Sequence, residues 1–212
     1  MRRSMLILGL AVLAAAWLGP LPEQRAFFAH MAVHVSVVAI AAPLIAVGLT
    51  GSAWDPARAW PMLFAPLPAS ILEFFVVWAW HWPALHDAAR EWPLAFVAEQ
   101  ASFLLAGLAL WLSAFGGRPE VRASRSGAGI VALLATSMHM TLLGTLLALS
   151  TRPLYAHYDA GFAGLTALED QHLGGLLMLL GGGTAYLIGG LCLLARLLRH
   201  SPVDAPDGMR LR

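Results

Sequence analysis

The chain has 212 residues, of which 59% are hydrophobic and 12% charged, with a mean hydropathy of +0.71. A soluble domain carries about a quarter charged residues, so the composition excludes an ordinary soluble protein. The net charge of +1 says little, but the single cysteine, Cys192, excludes an internal disulfide and any CxxC metal or redox site.

Met5 to Leu18 is apolar and follows Arg2 and Arg3. That pattern fits a secretory signal or a first transmembrane helix. A retained helix is expected, because no clear A-x-A site precedes Pro20. Including 5–18, spans are expected over 27–49, 63–82, 94–115, 127–149 and 170–194, most of them near the ~20 residues that a hydrocarbon core of ~30 Å requires. Hydrocarbon cannot satisfy exposed backbone groups, so the spans are expected to be helical. The expected fold is all-α: a polytopic membrane bundle of six transmembrane helices within residues 1–196. Residues 197–212 are expected to form a polar cytoplasmic tail, disordered from Ser201 to Arg212.

Arginine placement predicts the orientation. With the N-terminus cytoplasmic, the inside holds Arg2, Arg3, Arg58, Arg118, Arg122, Arg125, Arg196, Arg199, Arg210 and Arg212, and the outside only Arg25, Arg90 and Arg152. Both termini are therefore expected in the cytoplasm. Trp17, Trp78, Trp80, Trp82 and Trp92 would anchor the outer interface, and Trp54, Trp60 and Trp111 the inner one. The Ala-, Arg- and Gly-rich usage points to a GC-rich bacterial gene, hence to the bacterial inner membrane.

The second span organises the rest. Its strongly polar side chains are His30 and His34, one turn apart on one helical face. At about 1.5 Å per residue they lie roughly 5 and 10 Å below the outer surface. His81 ends the third span at that surface, with Glu73 about 12 Å deeper. Glu99 lies roughly 8 Å into the fourth span from outside. His139 is near mid-membrane in the fifth, beside Met138 and Met140, and Asp170 and His172 open the sixth. Ionisable groups in a membrane usually face the bundle interior with a partner. The outer half thus collects His, Asp and Glu from five spans, while arginines avoid it.

Two things could gather these groups: a metal ion, or interhelical hydrogen bonds that rigidify the bundle. Imidazole suits zinc, copper, iron and nickel, and nearby thioether shifts the choice toward Cu(I). Haem between histidines of matched depth, such as His34 with His139, is the alternative, though acidic neighbours suit a cation better. HExxH is absent, no Ser/His/Asp set is compelling, and no phosphate loop or basic–aromatic pattern for nucleic acid occurs.

Several blocks resemble the multi-pass CtaG-type cytochrome c oxidase assembly factors. They are HMAVHVSVVAIAAPLIAVG, WAWHWPALHDAA, EQASFLLAGLALW, MHMTLLGTLLALSTRPLY and LTALEDQHLGGLLM. They occur in order and span nearly everything from Phe27 to Met178. His30, His34, His81, Glu99, His139 and Asp170 match the family blocks. Gln100 stands where the family favours His, His86 where Tyr is usual, and His172 where Gln is frequent.

The resemblance implies a non-enzymatic respiratory-chain factor that matures a haem-copper oxidase by handling copper at the outer face of the membrane. His30, His34 and His139 are the expected first ligands, with His81 and Asp170 completing or relaying the ion. Glu73 and Glu99 would orient ring N–H groups, with His172 and Met140 accessory. Expected partners are cytochrome c oxidase subunits, met through the Arg152–Thr166 loop with His157, a periplasmic copper donor, and membrane lipid. A b-haem electron-transfer protein and a metal-free scaffold are the rivals.

Overall fold

A computed structural model of the chain describes residues 1–22, 25–118, 122–158 and 161–200. Some 80% of the described residues are helical, and no strand occurs among them. In chain order the helices are α1 (Arg2–Leu18), α2 (Phe27–Leu49), α3 (Pro66–Trp80), α4 (Pro83–Glu91), α5 (Pro93–Phe115), α6 (Arg122–Ala148) and α7 (167–200), with further short turns at Pro56–Ala59 and Phe162–Gly164.

Four helical stretches, Phe27–Leu49, Pro93–Phe115, Arg125–Ala148 and Ala167–Arg199, are long and apolar enough to cross a membrane. The other two expected spans are shorter, at 17 residues in α1 and 15 in α3. At 1.5 Å per residue α3 reaches only about 22 Å. Prolines clip it at both ends. Pro66 occupies its first turn, and Leu63 and Phe64 before it form a turn rather than helix. Beyond it, Trp82 caps the helix that Pro83 starts. At the other end of the chain, α7 begins at Ala167 behind a Thr166/Glu169 capping box. It continues to His200, so residues 197–200, expected in the tail, are helical. Residues 201–212 lie outside the described residues.

α2 is not a uniform helix. Residues Ser36–Ala41 form a π turn, in which the Ala42 N–H reaches the Val37 carbonyl, five residues back. In that register the partner of the Val38 carbonyl would be Pro43, which has no N–H. Trp111 Nε1–H supplies the missing donor at 2.9 Å, and the Tyr186 hydroxyl adds a second at 3.3 Å. The two rings stack at 5.1 Å. Trp111, expected as an interface anchor, is therefore a buried partner of a broken helix ladder.

α2 runs through the middle of the bundle, packed by α1, α5 and α7, while α3 packs on α5 and α6. α6 and α7 pack closely at Gly144 and Gly175, small residues that let backbones touch. A β-carbon on Gly175 would stand 2.8 Å from the Gly144 carbonyl oxygen. Gly175→Val is expected to destabilise the protein by about 1–3 kcal/mol through overpacking. Thermal unfolding in detergent measures it, and an unshifted transition would show that the helices can part freely.

Candidate metal centre

One end of the bundle gathers imidazoles from three helices. His30 and His34 lie one turn apart on α2, ahead of the π turn, with nearly parallel rings 6.4 Å apart. His81, the residue that ends α3, brings its ring within 5.3 Å of His34 and 6.0 Å of His30. His86 of α4 meets His30 edge-on at 4.7 Å. Phe103 of α5 packs against His34 at 4.2 Å. Glu99 lies one turn before Phe103 on the same face, with Oε2 3.9 Å from His30 Nδ1. His30, His86 and Glu99 each offer a ligand atom within 4.8 Å of the others, and all three are buried.

Hydrogen bonds set the nitrogens. The Val77 carbonyl can only accept, so His81 Nδ1–H donates to it at 2.6 Å, leaving Nε2 as a bare lone pair. The guanidinium of Arg90, on α4, can only donate. It pairs with Glu99 and lies 3.4 Å from His30 Nδ1, which must therefore accept. Gln100 donates to Glu99 at 3.1 Å and accepts from Trp17 Nε1 at 3.1 Å, tying α5 to α1. His86 Nε2 and the Tyr158 hydroxyl share a 2.7 Å hydrogen bond.

Burial, then the nearby Arg90 charge, hold His86 well below the usual imidazole range, with the Trp80 carbonyl opposing in part. Burial likewise pushes the Tyr158 hydroxyl up. His86 is thus neutral and Tyr158 protonated at physiological pH, which is the ligand-competent state of an imidazole.

Buried polar atoms normally have partners. Here His30 Nε2, both nitrogens of His34, His81 Nε2 and Glu99 Oε1 have none, and His86 Nδ1 has no well-aligned one. Among the described residues, His30, His86 and Glu99 bring ligand atoms close enough together to share a cation.

The expected residues divide sharply. His30, His34, His81 and Glu99 come together. His139 does not join their ring contacts: it stands edge-on to Phe74 at 5.3 Å, with both nitrogens unpartnered. Asp170 is spent elsewhere, accepting from the backbone N–H groups of Phe27 at 2.6 Å, Phe28 at 3.3 Å and Phe162 at 3.1 Å. It caps the start of α2, whose own cap residue, Ala26, has no acceptor side chain. Glu73 takes the Tyr186 hydroxyl at the level of the π turn instead of a histidine N–H. His172 bonds the Ser150 carbonyl at 2.8 Å, and Met140 is core packing.

Two residues at the centre of the cluster were not expected there. His86 and Arg90 lie four apart on α4, with Ala89 between them on the buried side. That i, i+4 pair on one face of a short amphipathic helix was the available signal. Arg90, expected outside the membrane, reaches the buried Glu99.

The model of the family described as cytochrome c oxidase caa3 assembly factor (Caa3_CtaG) matches residues 1–200. No curated protein and no solved structure matches the chain.

Proposed function

The chain belongs to the cytochrome c oxidase caa3 assembly factors, and from that premise we propose that it binds copper as cargo and passes it to the oxidase. The reading rests on one observation: buried His30, His86 and Glu99 offer ligand atoms within 4.8 Å of one another, with the rings of His34 and His81 packed beside them and several nitrogens left without partners. His30, His34, His81 and His86 supply neutral nitrogen donors, and Glu99 supplies the negative charge that offsets an incoming cation. Imidazole is a good copper donor. Two of the rings are already oriented, His81 by the Val77 carbonyl and His86 by Tyr158. The chain's part is to strip water from the ion, hold it in a dry pocket and release it; no bond is made or broken in a substrate.

In this reading the cluster faces the outside of a bacterial inner membrane, crossed by six spans with both termini cytoplasmic. The segment carrying His157 is the surface offered to oxidase subunits, and a periplasmic donor supplies the ion. Haem suits these residues poorly. His30 and His86 stand edge-on at 4.7 Å, and the crevice touching His30 holds only about 10 Å³, so no flat slot separates the rings.

The test loads detergent-purified protein with Cu(I), removes loosely held metal and counts copper per chain. Wild type is expected to keep stoichiometric copper without a Soret band, and His30→Ala/His34→Ala to fall to background while still inserting. Membranes carrying the double variant are expected to hold cytochrome c oxidase depleted in copper. Unchanged copper in the folded double variant would defeat the proposal. A Soret band would favour haem, and normal oxidase in the double variant would favour a metal-free scaffold.

A further inference from the structure

We propose that Arg90 is an internal stand-in cation: it closes the metal position when no ion is held and must swing outward when copper enters. The inference rests on the copper reading above and adds a gate to it. Arg90 donates to Glu99 and lies 3.4 Å from His30 Nδ1. Those are the same two groups whose facing atoms, 3.9 Å apart, would otherwise meet a metal ion. The guanidinium therefore uses the carboxylate and the lone pair that an ion would use. Ion and arginine cannot hold both at once.

Arg90 is also placed to leave. It lines the small crevice at His30 and, on its other side, a cavity of about 450 Å³. Arg25, Glu91, Trp92, Phe96, His157 and Tyr158 border that cavity. The Arg90 guanidinium already lies 5.4 Å from the Phe96 ring centre, a cation–π distance. Glu91, paired with His157 at 3.1 Å, offers a carboxylate on the same wall. A swing into the cavity opens the path to His30, keeps the arginine against Phe96 and offers it Glu91 as a new anionic partner. The return swing, with Glu99 recaptured, would drive release.

The exchange also selects by charge. A monovalent ion replaces the guanidinium one for one beside buried Glu99. A divalent ion would leave an excess positive charge in a low-dielectric pocket, which is costly. Cu(I) is therefore the expected cargo, in preference to Cu(II) or Zn(II).

Two measurements on the full chain test the gate. Phenylglyoxal labelling of wild type, read by mass spectrometry, is expected to rise several-fold at Arg90 on Cu(I) loading while Arg25 changes little. Competition against a chromophoric Cu(I) chelator is expected to give Arg90→Gln an affinity about tenfold tighter than wild type, because the competitor is gone. If the wild-type protein binds Cu(I) and Arg90 labelling stays flat or falls, the gate is wrong and the copper site stands. Equal or weaker binding by folded Arg90→Gln has the same meaning. Should that variant fail to fold, the wild-type labelling decides alone. If wild type holds no copper, the site itself fails and takes the gate with it.

Discussion

Glu99→Ala is expected to be the most damaging single substitution in the cluster, for stability and for copper alike. The carboxylate is fully buried and holds Arg90 and Gln100. Removing one partner of a buried ion pair leaves the other charge uncompensated, at a cost of about 3–5 kcal/mol. Arg90 has an exit into the neighbouring cavity, so the low end of that range is expected. Pairing Glu99→Leu with Arg90→Leu separates the two roles. An apolar pair of similar volume is often neutral relative to the buried ion pair, so Glu99→Leu/Arg90→Leu should recover most of the thermal stability. It should not recover copper, because the anionic ligand is still missing. A double-mutant cycle of wild type, Glu99→Leu, Arg90→Leu and the double variant, read by thermal melting and by copper content, gives both numbers. If the double variant regained copper, Glu99 would be a structural anchor for Arg90 and nothing more.

The cluster depends on features well below it. α2 must present His30 and His34 at one level and still pass through the middle of the bundle, although Pro43 removes a donor from its ladder. The π turn moves the deficit to the Val38 carbonyl, where Trp111 and Tyr186 cover it. Tyr186 in turn bonds Glu73. So the buried Glu73 belongs to the repair of the α2 backbone, two turns away from His81. This explains why an acid in a membrane helix need not face the ion.

Membrane-spanning character, all-helical class and the histidine pair of α2 were legible in the sequence, because hydropathy and the i, i+4 rule act within one segment. The gathering of His34, His81 and Glu99 was legible from depth, since groups at one level of a bundle can meet. Depth does not carry rotation about the helix axis, and rotation decides which groups share ring contacts and hydrogen bonds. His139 stands on a face of α6 that meets Phe74. Glu73 turns toward α7 and Asp170 toward the first turn of α2. His86 and Arg90 were missed for a different reason: α4 is too short and polar to span, so its residues were counted with a connecting loop. Only its seating against α5 and α2 shows that the polar face points inward.

Asp170 gives the clearest test of capping against ligation. Its two oxygens accept three backbone N–H groups, from α2 and from Phe162. A hydrogen bond to a charged acceptor contributes about 1.5–3 kcal/mol, and a negative charge at a helix N-terminus adds about 0.3–1 kcal/mol more. Asp170→Ala is therefore expected to cost several kcal/mol on that count, visible as a lower melting temperature in detergent. Asp170→Asn is expected to be nearly as harmful, because its amide NH2 would face the Phe27 or Phe162 N–H, donor against donor. Copper per folded chain should nevertheless stay at the wild-type value in both variants, since Asp170 stands apart from the His30, His86 and Glu99 group. A ligand would give the opposite pattern, with melting preserved and copper lost. Melting and copper content measured on the same folded fraction would thus assign Asp170 either to the backbone of α2 or to the metal.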